Sequence, residues 1–363
     1  MRFVSRKKLR EIESKYDVNW FVCLGQRSNG KSTAIKANFI EDAYKGKGKF
    51  VYIRRYQRDM KIYMINSYFK NMPGFDVSKL TEGTWQGVEC KANELRFYRD
   101  IIDDKGNSKR FYDSDPCGYV ASLADSEHMK SLNYPGVIQG IFEEFATDQG
   151  YLDNEVTTLF NLVSTVLRNN KGCIYLVANT ISRVNPYFRE FNLDKLNEQH
   201  IDTVDIYKYD KATIACYLTA PIDSGEKEAD VMYFGSRARM INKGEWDQTQ
   251  KRKREKESDK YTTLYSMCFE YHDNTFLMEF QKSDDGHVWY ISPMTEPIEP
   301  GKRLITNMNV EHDHHTFGFY PLSENEAKIF RLLDQHKVAF SDDLTGTEFN
   351  EAYKQMKQEM LTY

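Results

Sequence analysis

The sequence predicts an α/β fold with a mostly parallel sheet. Helix-like segments alternate with short apolar runs, and this alternation is typical of a parallel sheet covered by helices. The clearest helix spans about residues 154–168, where apolar residues share one stripe and Gly172 follows as a stop signal. Four apolar runs have the length and composition of strands: residues 49–53, 118–121, 137–142 and 173–178.

A phosphate-binding loop is the most specific motif. Residues 25–32 read GxxxxGKS and directly follow the apolar run 20–24. The next segment places Ile35, Phe39 and Ile40 on one helical stripe, so strand, loop and helix occur in the required order. Glycines let the backbone approach an anion, and main-chain N–H groups can then wrap the phosphates of a nucleotide.

The loop predicts nine nucleotide-binding residues. Lys31 can reach the β and γ oxygens of ATP, and the Ser32 hydroxyl can hold Mg²⁺. The nine residues are Gly25, Gln26, Arg27, Ser28, Asn29, Gly30, Lys31, Ser32 and Thr33.

An acidic pair ends the apolar run 137–142 and resembles a Walker B element. Glu143 would hold Mg²⁺ through water, and Glu144 would act as general base toward the attacking water. The first position of this element is usually Asp, and Glu is one methylene longer. The residue type therefore fits the metal-binding role of Glu143 less well than it fits the base role of Glu144. An exposed acidic pair at a strand end is the alternative.

Further polar residues are candidates for the same site. Asn179 follows the run 173–178 and could contact the γ-phosphate or orient water, or it could cap a helix or form a turn. An arginine aimed at the γ-phosphate contributes strongly to phosphoryl transfer. The candidates are Arg27, Arg54, Arg55 and Arg168, and for each the alternative is a solvated surface charge.

Composition narrows the class of protein. The 363 residues carry 40% hydrophobic side chains and a net charge of −4, which predicts a folded protein with at most local basic surfaces. Six scattered cysteines lack a CxxC pair and indicate a reducing cytosol. The basic N-terminus lacks an apolar signal-peptide core, and no run approaches a membrane span, so we expect no membrane association.

The organisation changes along the chain. Residues 60–116 fit no βαβ pattern and predict an insertion of short helices and a hairpin. Residues 221–260 are poor in apolar residues and predict a linker or lid. A three-strand meander at 264–269, 275–280 and 287–291 and helices at 324–333 and 347–360 predict a second domain. The predicted boundaries are 1–210 for the first domain, 211–260 for the linker and 261–363 for the second domain.

Five segments together resemble the small DNA-packaging ATPases of short-tailed phages with protein-primed genomes, the phi-twenty-nine-like group. The similarity is densest over residues 19–193 and continues more weakly to the C-terminus. The segments are residues 25–32, 52–56, 142–145, 166–169 and 184–188.

The resemblance implies an ASCE-type P-loop ATPase that uses ATP and Mg²⁺ to translocate double-stranded DNA. It would form a homopentameric ring on the portal of a procapsid, with a packaging RNA as a further candidate partner. Arg27 would be the arginine of the phosphate loop and Glu144 the catalytic carboxylate. Arg168 would insert into the adjacent subunit's site, and Lys130 matches a second residue acting in trans. The expected location is the host cytoplasm, with transient residence at the portal vertex.

For the second domain the resemblance implies a degenerate RNase H-like fold of α+β type. A nuclease of this kind needs convergent carboxylates around two metals. The available carboxylates are Glu270, Asp273, Asp284 and Asp285, and the last three sit in predicted turns, where acids are common for conformational reasons. We therefore predict that this domain does not cleave DNA. The sequence of residues 312–315, His-Asp-His-His, fits a polar loop better than a metal site.

Two other functional classes stay open: a terminase-type protein with an active metal-dependent nuclease, and a binding module whose conformation the nucleotide controls. DNA contact would fall on the basic run Lys251, Arg252, Lys253 and Arg254, for which a solvated linker is the alternative.

Overall fold

The computed structural model describes the chain in two compact units. One unit is built on a ten-stranded sheet and the other on a five-stranded sheet. The described residues are 3–70, 72–102, 106–126, 133–147, 151–152, 154–168, 170–179, 185–193, 196, 199–220, 260–271, 274–284, 286–294, 303–306, 324–335, 337–341 and 343–361.

The first unit contains helices and strands in alternation over most of its length. Its helices are α1 (Arg6–Tyr16), α2 (Lys31–Tyr44), α3 (Ile62–Lys70), α4 (Val77–Leu80), α5 (Glu155–Leu167) and α6 (Pro186–Glu190). Its strands are β1 (Trp20–Leu24), β2 (Lys49–Arg54), β3 (Gly87–Lys91), β4 (Glu94–Ile102), β5 (Ser108–Tyr112), β6 (Gly118–Ser122), β7 (Val137–Glu143), β8 (Cys173–Ala178), β9 (Thr203–Lys208) and β10 (Thr213–Leu218).

The sheet of this unit is mainly parallel, which confirms the predicted fold class. Its strand order is β3-β4-β6-β2-β7-β8-β1-β10-β9, with β5 paired to β4. Six neighbouring strands run parallel: β6, β2, β7, β8, β1 and β10. Strand β9 and the β3-β4-β5 group pair in antiparallel fashion. Strand β8 therefore separates β1, which leads into the phosphate loop, from the acidic strand β7.

Burial explains why the central strands read as continuous apolar runs. Every residue of β8 is buried, as are all of β2 and β1 except their first residues. Phe21 of β1 stacks on Tyr175 of β8 with ring centroids 4.7 Å apart. A strand covered on both faces needs apolar side chains on both faces, so the period-2 alternation of a half-exposed strand is missing.

The elements predicted from local patterns are present with small shifts. Between residues 60 and 116 the structure has helices α3 and α4 and the antiparallel strands β3 to β5, as the insertion predicted. Helix α5 lies within the predicted span, flanked by Asn154 and Arg168 in left-handed conformations. A Cβ at Gly172 would lie 2.4 Å from the carbonyl oxygen of Ile138, so only glycine fits where α5 returns to the sheet.

The first sheet continues past the predicted boundary at residue 210. Strand β10 pairs with β1 in parallel, and β9 pairs with β10 as a hairpin that no local sequence pattern predicted. The sheet therefore reaches Leu218. The predicted linker at 221–260 lies almost wholly outside the described residues.

The second unit packs two helices with a mixed sheet. Strands β11 (Thr262–Tyr271), β12 (Asn274–Ser283) and β13 (Gly286–Pro293) form the predicted meander. Strand β14 (Arg303–Thr306) adds parallel to β11, and β15 (Val338–Phe340) adds parallel to β13. The helices are α7 (Glu324–Asp334) and α8 (Asp343–Leu361), and the core includes Phe269, Phe276, Trp289 and Phe349.

Candidate nucleotide site

The candidate site lies at the carboxyl ends of the parallel strands of the first unit. Strand β1 leads into the phosphate loop, β7 ends at Glu143 and β8 is followed by Asn179. Crevices at this edge are the usual ligand sites of open α/β sheets.

The phosphate loop has a backbone that requires its two glycines. Gly25 has φ +147°, and a Cβ there would lie 2.0 Å from the Thr219 hydroxyl oxygen. Gly30 has φ +86° and is the N-cap residue of α2. The Asn29 amide donates to the Thr219 hydroxyl at 2.6 Å, and that hydroxyl donates to the Leu24 carbonyl at 2.8 Å. Thr219, the residue after β10, thus braces the loop from the side, and the loop leads into the amino end of α2, where unpaired N–H groups can bind an anion.

Lys31 is buried among oxygens of its own loop. Its ammonium donates to the carbonyls of Gly25 and Gln26 at 3.0 and 2.6 Å and to the Asn29 side-chain oxygen at 3.1 Å. Burial lowers the pKa of Lys31 to about 8. The ammonium therefore lies within the loop, where its three donors are taken up by loop oxygens, and a phosphate bound in the loop would compete with those oxygens for it.

The two residues predicted to hold the metal are in contact. Glu143 is 8% exposed, and its carboxylate accepts hydrogen bonds from the hydroxyls of Ser32 and Tyr52. Burial alone would raise the pKa of Glu143, but the charges of Lys36 and Arg54 and the two hydroxyl bonds outweigh it and lower that pKa. An ionised carboxylate beside a hydroxyl suits Mg²⁺, which prefers oxygen ligands.

Glu144 differs from its neighbour in exposure and partners. Its side chain is 67% exposed, and its carboxylate lies 2.8 Å from the Arg54 guanidinium. Its backbone is left-handed, with φ +60°. The chain therefore turns directly after β7 and directs the two adjacent carboxylates to different surroundings, one buried and one at the rim.

Two adjoining cavities are lined by most of the predicted nucleotide-site residues. A cavity of about 390 Å³ is lined by residues 27–33 together with side chains from β2, β7 and β8. A second cavity of about 260 Å³ lies next to it. Both cavities are lined by Arg27, Arg54, Glu143, Glu144 and Asn179.

Three residues of the site were not assigned a clear role by sequence reasoning. Tyr52 donates to Glu143, and Lys36 lies 3.8 Å from the same carboxylate. Arg54 contacts both glutamates and Asp59, and its Nε has no hydrogen-bond partner among the described residues. Tyr52 and Arg54 alternate on β2, so they share a face of that strand. An alternating polar pair in an otherwise apolar strand was the signal available in the sequence.

Arg168 lies on the side of the sheet formed by the amino ends of the parallel strands, opposite the crevice at their carboxyl ends. It follows α5 and precedes β8, so it sits near the amino end of the strand whose carboxyl end reaches the site. It is exposed, and its guanidinium donates to the Asn133 side chain at 3.2 Å. Among the described residues that line the two cavities, Arg168 is absent. Lys130 and the basic run at residues 251–254 lie outside the described residues.

Of the carboxylates considered for a nuclease, the two that the structure describes, Glu270 and Asp284, lie far apart. Glu270 pairs with Thr275 near the start of β12, whereas Asp284 follows the last residue of that strand. The length of β12 separates them by about 30 Å. Within the described part of the chain no cluster of three or more His, Cys, Asp or Glu could hold a metal. Asp273, Asp285 and residues 312–315 lie outside it.

Residues 8–208 match the family described as Podovirus DNA encapsidation protein (Gp16). The matched segment contains the phosphate loop, both glutamates and Arg168. The chain belongs to this family. The predicted resemblance to the phi-twenty-nine-like packaging proteins is thereby confirmed.

Curated relatives agree with the family assignment. The chain is 33% identical over 176 residues to the DNA packaging proteins of Bacillus phages phi29 and PZA, a match covering 47% of this chain and 45% of theirs. It is 34% identical over 175 residues to the DNA packaging protein of Bacillus phage B103, covering 47% of each chain. The chain thus spans about half the length of the curated relatives it matches.

Solved structures share the fold. A chain of the bacteriophage Phi-29 genome packaging motor assembly superposes with a TM-score of 0.61 at 22% identity, covering 98% of this chain and all of that chain. A chain of the Phi-28 gp11 DNA packaging motor gives 0.51 at 18% identity, covering 97% and 98%. Of the helices in the described residues, none is long and apolar enough to cross a membrane.

Proposed function

We propose that this chain is an ATP-driven motor that moves double-stranded viral DNA into a procapsid as a homo-oligomeric, pentameric ring. The observation that carries the proposal is the convergence of residues 27–33, the Ser32–Glu143 contact and Glu144 on one crevice. The strand order, with β8 between β1 and β7, is consistent with the ASCE-type ATPase that the resemblance implies.

Each residue of the crevice has a role that follows from its position. The N–H groups at the start of α2 and the Lys31 ammonium would hold the phosphates of ATP, and Ser32 and Glu143 would hold Mg²⁺. Mg²⁺ bound there supplies charge neutralisation for the phosphates. Glu144, at the rim, would accept the proton of the attacking water.

Arginines complete the charge balance of the site. Arg27 lies in the loop and lines both cavities, so it can act on phosphates within its own subunit. Arg54 holds the Glu144 carboxylate at the cavity rim. Arg168 and Lys130 would act on the neighbouring subunit, and the exposed position of Arg168 at the end of β8 remote from the crevice supports this for Arg168.

The partners follow from the family. Relatives named as DNA packaging proteins support DNA as the substrate, and a fold shared with a chain of a genome packaging motor supports work within such a motor. That the DNA is double-stranded and that the motor sits on a portal are further parts of the proposal. We further propose contact with a packaging RNA, DNA contact through residues 251–254, and location in the host cytoplasm with transient residence at the portal vertex.

The second unit would be a vestigial RNase H-like domain over residues 261–363. A meander extended by the parallel strand β14 supports that assignment. The separation of Glu270 from Asp284 disfavours the alternative of an active nuclease. We place the first boundary after Leu218 rather than at residue 210, because β10 belongs to the first sheet.

A glutamate substitution tests the proposal. Glu144→Gln keeps the side-chain shape but removes the base, so we expect ATP turnover to fall by about 10²–10⁴-fold while nucleotide affinity changes little. Steady-state hydrolysis and binding of a nonhydrolysable ATP analogue measure the two effects.

The matched control is Glu11→Gln, because the Glu11 side chain is 64% exposed, close to the 67% of Glu144. Its turnover should equal that of the unmodified protein. Undiminished turnover of Glu144→Gln would remove Glu144 from the mechanism.

A further inference from the structure

Arg55 is a buried arginine whose hydrogen bonds converge on one turn. It is 5% exposed and follows directly after β2. Its Nη1 donates to the main-chain carbonyl of Glu144 at 2.8 Å, and its Nη2 donates to that of Phe145 at 2.6 Å. The guanidinium therefore holds the backbone of the turn that follows β7, and not the Glu144 side chain.

A buried carboxylate fixes the orientation of this arginine. Glu155, the first residue of α5, accepts from Arg55 Nε at 2.8 Å and from Nη2 at 2.9 Å. The same carboxylate accepts from the Tyr187 hydroxyl at 2.6 Å and from the Leu152 amide at 2.8 Å. Four hydrogen bonds satisfy Glu155, so the Arg55 fork has a single geometry.

The turn that Arg55 holds is one that the chain would not adopt without restraint. Glu144 has φ +60°, a conformation that costs a non-glycine residue energy. Its amide donates to the Val177 carbonyl at 2.7 Å, so β8 holds one side of the residue and Arg55 holds the other. These backbone angles fix the direction in which the Glu144 side chain leaves the main chain, and Arg54 holds its carboxylate at the far end.

We infer that Arg55, locked by Glu155, is a positioning residue that sets the direction of the Glu144 carboxylate toward the nucleotide crevice. This inference rests on the proposed function, since it assigns the pair a part in that hydrolysis. A buried ion pair gives little net stability over apolar residues of the same size, so stability alone does not account for the network. Misplacing a catalytic group by about 1 Å can cost about 100-fold in rate.

Arg55→Lys is the first test. A lysine keeps the charge beside Glu155, but one ammonium cannot reproduce the fork that reaches two carbonyls and a carboxylate. We expect ATP turnover to fall by about 100-fold, with the affinity for a nonhydrolysable ATP analogue within about 3-fold of the unmodified protein.

Amide hydrogen exchange of residues 143–146 is the second readout, and it does not depend on hydrolysis. We expect the Glu144 amide to exchange faster in Arg55→Lys. If the unmodified protein does not hydrolyse ATP, the proposed function fails, and the exchange measurement still decides the positioning role.

The control is Arg10→Lys. Arg10 donates to both oxygens of Asp42 at 2.9 and 2.8 Å, and Asp42 is 2% exposed. This pair joins α1 to the end of α2 that is remote from the phosphate loop. We expect Arg10→Lys to alter stability without changing exchange at residues 143–146 or turnover per folded molecule.

Two further variants keep the inference falsifiable if Arg55→Lys does not fold. Tyr187→Phe removes the hydroxyl that donates to Glu155 and should lower ATP turnover less than Arg55→Lys does. The combined variant Arg55→Met, Glu155→Leu and Tyr187→Phe replaces the network by apolar side chains. A folded combined variant with full turnover, or unchanged exchange at residues 143–146 in every Arg55 and Tyr187 variant, would overturn the inference.

Discussion

At the scale of single residues, burial sets the acid–base behaviour of Lys31. Its ammonium is surrounded by loop oxygens, and burial lowers its pKa from 10.5 to about 8. Because the folded-state pKa is the lower one, the buried charge of Lys31 costs the folded protein its full stability penalty below about pH 8, where both the folded and the unfolded chain carry the proton. The unliganded protein should therefore gain stability between pH 8 and 10.5, where the unfolded chain binds more protons.

Nucleotide affinity should show the opposite trend with pH. Phosphates favour the charged form of Lys31, so binding above the pKa of about 8 requires uptake of a proton. We expect the Kd of a nonhydrolysable ATP analogue to rise by up to roughly tenfold per pH unit above that value. Titrations at a series of pH values measure it.

Lys31→Arg is the control for this pH dependence, because an arginine stays charged throughout the range. Its affinity should be weaker but flat with pH. An equal slope in both proteins would show that Lys31 is not the titrating group.

At the scale of elements, the site depends on how closely β7, β8 and the end of α5 approach one another. A Cβ at Gly172 would lie 2.4 Å from the Ile138 carbonyl and 2.8 Å from a methyl group of Leu167. Strand β7 carries Glu143 and β8 precedes Asn179, so any shift between these strands changes the distance between the two sides of the crevice.

Gly172→Ala should destabilise the first unit. Overpacking against a backbone atom costs about 1–3 kcal/mol in the free energy of unfolding, because the strands must separate to admit the methyl group. Urea unfolding of the full chain measures the change.

The neighbouring substitution Lys171→Ala is the control, since Lys171 is 71% exposed and forms a surface ion pair with Asp17. Such pairs contribute about 0–1 kcal/mol. Equal stability of Gly172→Ala and Lys171→Ala would contradict the close approach seen in the structure.

At the scale of the whole molecule, one subunit cannot supply Arg168 to its own nucleotide. Arg168 lies near the amino end of β8, and the six residues of that strand place the crevice about 20 Å away. Subunits that meet head to tail in a closed ring bring opposite edges of the fold together. The position of Arg168, exposed and distant from the crevice of its own chain, is consistent with the proposed action in trans.

Mixing two inactive variants tests this arrangement. Arg168→Ala retains Glu144, and Glu144→Gln retains Arg168, so a mixed ring regenerates complete sites at some interfaces. A 1:1 mixture should recover turnover at roughly a quarter of the sites, well above either variant alone.

The control mixture combines Glu144→Gln with Lys31→Ala. Glu144 and Lys31 both belong to the crevice of a single subunit. Every subunit in this mixture lacks one of the two, so mixing restores no complete site. Failure of the Arg168→Ala mixture to exceed its components would place the arginine outside the catalytic site.

Local patterns predicted much of the fold and half of the crevice. The phosphate loop, the acidic end of β7 and helix α5 each follow from contiguous residues, because their chemistry or periodicity is complete within one segment. The β9-β10 hairpin was missed, although residues 214–218 form an apolar run typical of a strand. Its membership in the first sheet depends on pairing with β1, which no local pattern records.

The sequence by itself determined that this chain carries a glycine-rich loop of the phosphate-binding pattern and two adjacent glutamates at the end of a buried strand, and that it belongs to the α/β class. Only the tertiary structure decided what each of those carboxylates contacts. Arg54 and Arg55 are adjacent in sequence, yet Arg54 contacts the Glu144 carboxylate and Arg55 holds its backbone. Successive residues at a strand end point in opposite directions, and the packing of β2 beside β7 determines which groups each of them meets.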